Sequence, residues 1–136
     1  MNQLINTNKQ INKSTNFRKF DIHDRIFNFV VNVLKLIRTI PKSIENQIIV
    51  NQIIRSATSI GANDQEADGV STKKDFIHCF TVVRKELKET RYWLRIISAI
   101  NEKVSLQMHE LLQENKELIY IVSSIIKNSF KKHQIG

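Results

Sequence analysis

The side chains that most often carry out chemistry are sparse and scattered in this chain. The four histidines fall in separate segments and none has a second ligand at the spacing of a known metal site: His23, His78, His109 and His133. Cys79 lies between Phe76 and Phe80 on a helical pattern, where we expect it to act as a small buried hydrophobe. No glycine-rich phosphate loop is present. The sequence therefore predicts no enzyme, no metal and no cofactor.

The basic residues of the third periodic segment form a more informative pattern. They recur so that, at about 100° per residue, they project within one narrow sector of a helix: Lys73, Arg84, Lys88, Arg91 and Arg95. Such a row can contact phosphates with salt-dependent, sequence-independent affinity. The alternative is a solvated face paired internally, by Lys85 with Glu89 or by Glu86 with a neighbouring helix. Further cations could support a nucleic-acid surface: Arg55, Lys127, Lys131 and Lys132.

A different sector of the same segment predicts a subunit interface. It combines apolar and acidic side chains: Val82, Glu86, Glu89, Trp93 and Ile96. A helix in a monomeric bundle needs only one apolar stripe. Tryptophan is common at interfaces because its large ring is costly to expose. The alternative is that Trp93 only covers the edge of the bundle.

Helices must position these side chains, and the hydrophobic periodicity predicts four of them. Apolar residues recur every three or four positions from Asp21 to Ile40, from Ile44 to Asp68, from Lys73 to Ile100, and after a cap at Ser105. The connections are short, which makes consecutive helices antiparallel. Gly61 lies inside the second segment, where an interior glycine is tolerable if another backbone must approach closely. The predicted fold is all-α, an antiparallel up-down-up-down four-helix bundle.

Length and composition bound the remaining possibilities. The chain has 136 residues, a net charge of +8 and one cysteine. This charge favours polyanionic partners, and the single cysteine is typical of a reducing, cytoplasmic setting. No apolar run reaches the ~20 residues of a membrane span. The predicted organisation is a disordered polar tail over 1–16, the bundle over 17–132, and a short tail over 133–136.

Two motifs carry a resemblance to a known family. The second segment has one motif (Gln52, Ile53, Arg55, Ser56, Ser59, Ile60, Ala62, Asn63 and Glu66). The third opens with Ser71 to Phe76 and continues through the other (Lys85, Glu86, Glu89, Thr90, Tyr92, Trp93 and Leu94). Together they resemble the bacterial four-helix-bundle proteins encoded in intervening sequences of large-subunit ribosomal RNA genes. The resemblance extends from about Asp21 to Lys132, although many members have proline where this chain has Gly61.

The resemblance implies a left-handed bundle that assembles as a ring-shaped homopentamer and has no known catalysis. A group similar in fold serves as the accessory protein of reverse transcriptases in diversity-generating retroelements, and those basic rings bind nucleic acid and the polymerase. The leading hypothesis is therefore a non-enzymatic oligomer that binds nucleic acid, either structured RNA or an RNA–DNA hybrid. The alternative is a protein-interaction scaffold acting as the accessory subunit of a reverse transcriptase. Neither hypothesis involves a membrane or a small-molecule substrate.

Overall fold

The computed structural model describes the backbone of residues 21–104 and 106–135 and the side chains of 22–104 and 106–131. Four helices account for most of this: α1 (Asp21–Ile37), α2 (Ile44–Gly69), α3 (Lys73–Ile100) and α4 (Leu106–Ile135). No strand occurs in these ranges, which confirms the predicted all-α class. Helix α4 continues through residues 133–135, which were predicted to be a tail. The predicted tail over 1–16, the cap at Ser105 and the side chain of Lys132 lie outside the described residues.

Contacts between the helices show that neighbours run antiparallel. The start of α1 meets the end of α2, where His23 Nδ1 lies 2.9 Å from Asp64 Oδ1. The start of α2 meets the end of α3 through hydrogen bonds between the side-chain amides of Asn46 and Asn101. Helices α3 and α4 meet where Asn115 Nδ2 donates to the Leu87 carbonyl. Helix α1 also packs against α4 and closes the bundle.

The core forms where the predicted apolar stripes face one another. Its largest fully buried side chains come from all four helices: Ile26, Phe29, Ile53, Ile60, Phe80, Leu87, Leu94, Ile97, Met108 and Leu118. Side-chain caps set two helix starts, because Ser43 Oγ accepts from Asn46 N and Thr72 Oγ1 accepts from Asp75 N, each at 3.1 Å. These caps fix the ends of α2 and α3 and hence the register of their side chains.

Gly61 lies in the interior of α2. A Cβ atom built at this position would have Val30 Cγ2 as its nearest neighbour, at 3.7 Å, which is an ordinary van der Waals contact. No backbone approaches closely enough to require glycine, and α2 runs through this position without a break. A close backbone approach is therefore not the reason for a glycine at this position.

Candidate nucleic-acid interface

One edge of α3 carries a row of cations beside α4, and we call it the basic edge: Arg84, Lys88, Arg91 and Arg95. Arg91 fixes its orientation, because Arg91 Nη1 donates to the Leu112 carbonyl of α4 at 2.8 Å. Lys88 and Arg95 are exposed and Arg84 is half-buried. Within the described side chains, no carboxylate lies within ion-pairing distance of Arg84, Lys88, Arg91 or Arg95. Their positive charge is therefore available to an external anion.

The position of this row follows directly from the core of α3. Each of its members comes one residue after a fully buried side chain: Val83, Leu87, Thr90 and Leu94. One residue advances an α-helix by about 100°, so a cation in that place points along the edge of the helix rather than into the core. Packing of the buried stripe thus aligns the cations along about three turns of α3.

Other cations of the predicted surface lie near one end of the basic edge. Lys73 is exposed at the start of α3 and lines a cleft with Phe76 and with Ser129 of α4. Lys127 and Lys131 are exposed on α4 near that same cleft. The structure therefore brings Lys73, Lys127 and Lys131 to one end of the α3–α4 pair. Lys116, which the sequence analysis did not single out, is exposed on α4 one turn after Leu112, the contact of Arg91.

The acidic residues of α4 lie on its opposite side, against α1. Arg25 of α1 binds Glu114, with its Nε 3.1 Å from one carboxylate oxygen, and a second contact of 3.7 Å joins it to Glu117. Glu110 and Glu114 both line a cleft with Phe29 of α1. Because α4 turns its carboxylates toward α1, the side that meets α3 keeps its positive charge.

The other edge of α3 faces α2, and its charged side chains are paired. We use the name paired edge for Glu86, Glu89 and Trp93 of α3 together with Arg55 of α2. Arg55 of α2 lies 3.4 Å from a carboxylate oxygen of Glu86 and also binds Glu89. Glu86 is only 7% exposed. Burial raises the pKa of its carboxyl group, and repulsion from Glu89 raises it further, whereas the charge of Arg55 partly offsets this rise. The structure thus separates Arg55 from the basic edge and surrounds it with carboxylates.

The predicted subunit-interface residues lie along this same edge. Trp93 is half-buried, and its indole N–H donates to Glu89 Oε1 at 3.3 Å. Val82 and Ile96 are also half-buried, whereas Glu86 is directed into its own protomer toward Arg55. The contact between Asn46 and Asn101 places the start of α2 beside the end of α3. Large exposed apolar side chains occur at that end, on Ile44, Ile48 and Ile100.

The remaining titratable side chains do not assemble into a reactive site. Cys79 is buried, and desolvation, followed by the charges of Glu66 and Asp75, raises the pKa of its thiol. Asp64 is buried beside His23, and desolvation raises its pKa despite that contact. Among the described residues, no group of three histidine, cysteine or acidic side chains could hold a metal ion. In the same part of the chain, no helix combines the length and the apolar character needed to span a bilayer.

Comparison with known proteins agrees with this architecture. The family model of the 23S rRNA-intervening sequence protein matches residues 18–124, and the chain belongs to this family. A crystal structure of a protein of unknown function from the S23 ribosomal protein family, from Bacteroides thetaiotaomicron, is 30% identical. The alignment covers 78% of this chain and 98% of the other, with a TM-score of 0.71. The search of curated proteins found no match.

Proposed function

We propose that this protein is a non-catalytic RNA-binding module that contacts phosphates through the basic edge. The observation that carries the proposal is the segregation of charge on α3. Arg84, Lys88 and Arg95 have no carboxylate partner among the described side chains. By contrast, Glu86 and Glu89 of α3 pair with Arg55, and Glu114 and Glu117 of α4 pair with Arg25, on other sides of the bundle. Cations left unpaired in a row attract a polyanion and release its counterions on binding.

Two further observations support RNA as the polyanion. The net charge of +8 strengthens the attraction to any nucleic acid. The family to which the chain belongs is named for intervening sequences of 23S rRNA, which makes RNA the first nucleic acid to test. Phosphate contacts made by a helix edge carry no base sequence information, so we expect affinity without sequence preference. Structured RNA and RNA–DNA hybrids both satisfy this description.

A charge-matched pair of variants tests the proposal. The first variant replaces three residues of the basic edge together by glutamine: Arg84, Lys88 and Arg95. The control makes the same replacement at three exposed cations at the end of α1 and just after it: Lys35, Arg38 and Lys42. Arg91 is retained because it also holds the Leu112 carbonyl. Each variant loses three positive charges, so any difference between them reports position rather than net charge.

We expect the basic-edge variant to lose most of its affinity for a mixed-sequence RNA of about 20 nucleotides at low salt. The slope of log affinity against log salt should fall by about 2, as three fewer phosphate contacts require. The control should keep most of its affinity and its slope. Equal losses in the two variants, or an unchanged affinity in the first, would contradict a role for the basic edge.

We also propose that the protomers form a homo-oligomer through the paired edge, with a pentameric ring as the arrangement that the family implies. Half-buried Val82, Trp93 and Ile96, continuing to exposed Ile48 and Ile100, supply the apolar surface for such a contact. Light scattering after gel filtration, with and without RNA, measures the assembly. An oligomer that ignores RNA at low salt would favour the scaffold, such as an accessory subunit of a reverse transcriptase.

A further inference from the structure

The only two tyrosines of the chain are both exposed, at 56% for Tyr92 and 75% for Tyr120. Neither hydroxyl makes a hydrogen bond within the part of the chain that the structure describes. A tyrosine that is buried in a fold usually pairs its hydroxyl with a hydrogen-bond partner. Both of these side chains instead leave more than half of their surface open to the solvent.

Cations bracket each tyrosine at helical spacing. Tyr92 follows Lys88 by four residues and precedes Arg95 by three, so both cations lie about one helical turn from its ring. Tyr120 follows Lys116 by four residues on α4 and precedes Lys127 by seven. Each ring therefore sits among side chains that can hold phosphates while the ring contacts a base.

The antiparallel pairing of α3 and α4 places the two rings at different heights along one surface. Arg91 lies opposite Leu112, and Leu87 lies opposite Asn115. Tyr120 consequently lies beside the Val83–Arg84 turn of α3. At 1.5 Å per residue, that turn is about 13 Å from Tyr92 along the axis of α3. Three cations of the basic edge, Arg84, Lys88 and Arg91, span this interval.

The ring of Tyr92 is also held in place. It packs against Trp93 in a T-shaped arrangement, with the centroids 5.0 Å apart and the planes at 81°. Trp93 in turn packs against the core and donates to Glu89. A supported ring loses little conformational freedom when a base stacks on it, which favours binding.

We infer that Tyr92 and Tyr120 are stacking platforms for unpaired bases, so that the basic edge takes single-stranded RNA segments in preference to duplex. This inference rests on the proposed function and deepens it. Aromatic side chains beside a cationic track are the means by which proteins bind single strands without sequence preference. A duplex keeps its bases stacked inside and offers these rings only its end pairs.

The test compares three ligands of the same backbone length: a 12-nucleotide oligo(U), the same oligomer without bases, and a 12-base-pair RNA duplex. We expect oligo(U) to bind at least about tenfold more tightly than the abasic oligomer. The double variant Tyr92→Ala/Tyr120→Ala should lose this difference, and Tyr92→Phe/Tyr120→Phe should keep it. Binding of the abasic oligomer should be equal in all three proteins, which also shows that the variants are folded.

The outcomes separate this inference from the proposal beneath it. Equal affinity for oligo(U) and the abasic oligomer, retention of the difference in the alanine variant, or tighter binding of the duplex would each overturn the stacking platforms. Those results would leave the proposed role of the basic edge intact if the glutamine variant of Arg84, Lys88 and Arg95 still lost affinity for RNA. Failure of the wild-type protein to bind any of the three ligands would overturn both.

Discussion

The two edges of α3 differ in whether their charges are neutralised within the chain. The paired edge gathers Glu86 and Glu89 around Arg55, and Glu86 is almost completely buried there. The basic edge leaves Arg84, Lys88 and Arg95 without carboxylate partners among the described side chains. A charged helix edge therefore serves packing when a neighbouring helix supplies the counter-charge. It is left for an external partner when none is supplied.

Charge reversal should separate the two edges most strongly. Arg55→Glu would leave three carboxylates together, one of them buried, and we expect it to destabilise the fold by about 2 kcal/mol. This is less than for a fully buried pair because the Arg55 side chain is 49% exposed. Lys88→Glu, on the exposed basic edge, should change stability by less than about 0.5 kcal/mol. Urea unfolding of both variants measures the difference, and equal effects would remove the distinction between the edges.

A buried hydrogen bond beside the paired edge sharpens the contrast. Ser56 Oγ and Thr90 Oγ1 lie 2.7 Å apart, both fully buried between α2 and α3. Thr90→Val removes one partner and should cost about 1–2 kcal/mol, since Ser56 loses its partner across the helix interface. Adding Ser56→Ala should cost less than the sum of the two single changes. Strict additivity in this double-mutant cycle would show that the pair contributes nothing specific.

RNA affinity should depend on the basic edge and hardly on the paired edge, which is the reverse of the expectation for stability. Lys88→Gln should weaken RNA binding roughly threefold and lower the salt slope by somewhat less than 1, because one phosphate contact is lost. Arg55→Gln should leave both quantities nearly unchanged, because Glu86 and Glu89 already neutralise that guanidinium. Fluorescence anisotropy over a range of salt concentrations measures both. A larger loss in Arg55→Gln would return Arg55 to the binding surface.

The smallest expected effect is a pH dependence at Glu86. Burial raises its folded pKa above the ordinary value of 4.5, so the folded chain takes up this proton at a higher pH than the unfolded chain. The cost of the buried carboxylate is thus fully present at neutral pH and disappears as the pH falls through the folded pKa. Glu86→Gln should accordingly be more stable than the wild type at pH 7, by less than about 1 kcal/mol. Unfolding midpoints of both proteins measured from pH 7 down to pH 4 should converge; an advantage that grows with acidification would reverse the sign.

Much of the fold was available from hydrophobic spacing alone. The stripes containing Phe29, Phe80 and Leu118 predicted helices, and these side chains are buried. The alignment of Arg84, Lys88 and Arg95 was also predictable, because it depends only on helix geometry and on the core residue that precedes each cation. The presence of a binding partner at this edge stays a prediction.

The polar interior was not predictable in the same way. Among the described side chains six polar ones are buried, and spacing singled out none of them as core: Asn46, Ser56, Asp64, Glu86, Thr90 and Asn115. Their burial depends on a partner elsewhere in the sequence, such as the Leu87 carbonyl for Asn115. A polar residue at a core position is penalised unless that partner arrives, and the period of a single helix does not identify it.

Four amphipathic helices, their order and the alignment of cations on α3 follow from local sequence, because each depends on residues a few positions apart on one helix. Which of those charges are neutralised depends on how the helices pack. Arg55 and Glu86 are separated by 31 residues, and they meet because α2 packs antiparallel against α3. Charge pairing across helices falls off with distance through space, and that distance exists only once the bundle has closed.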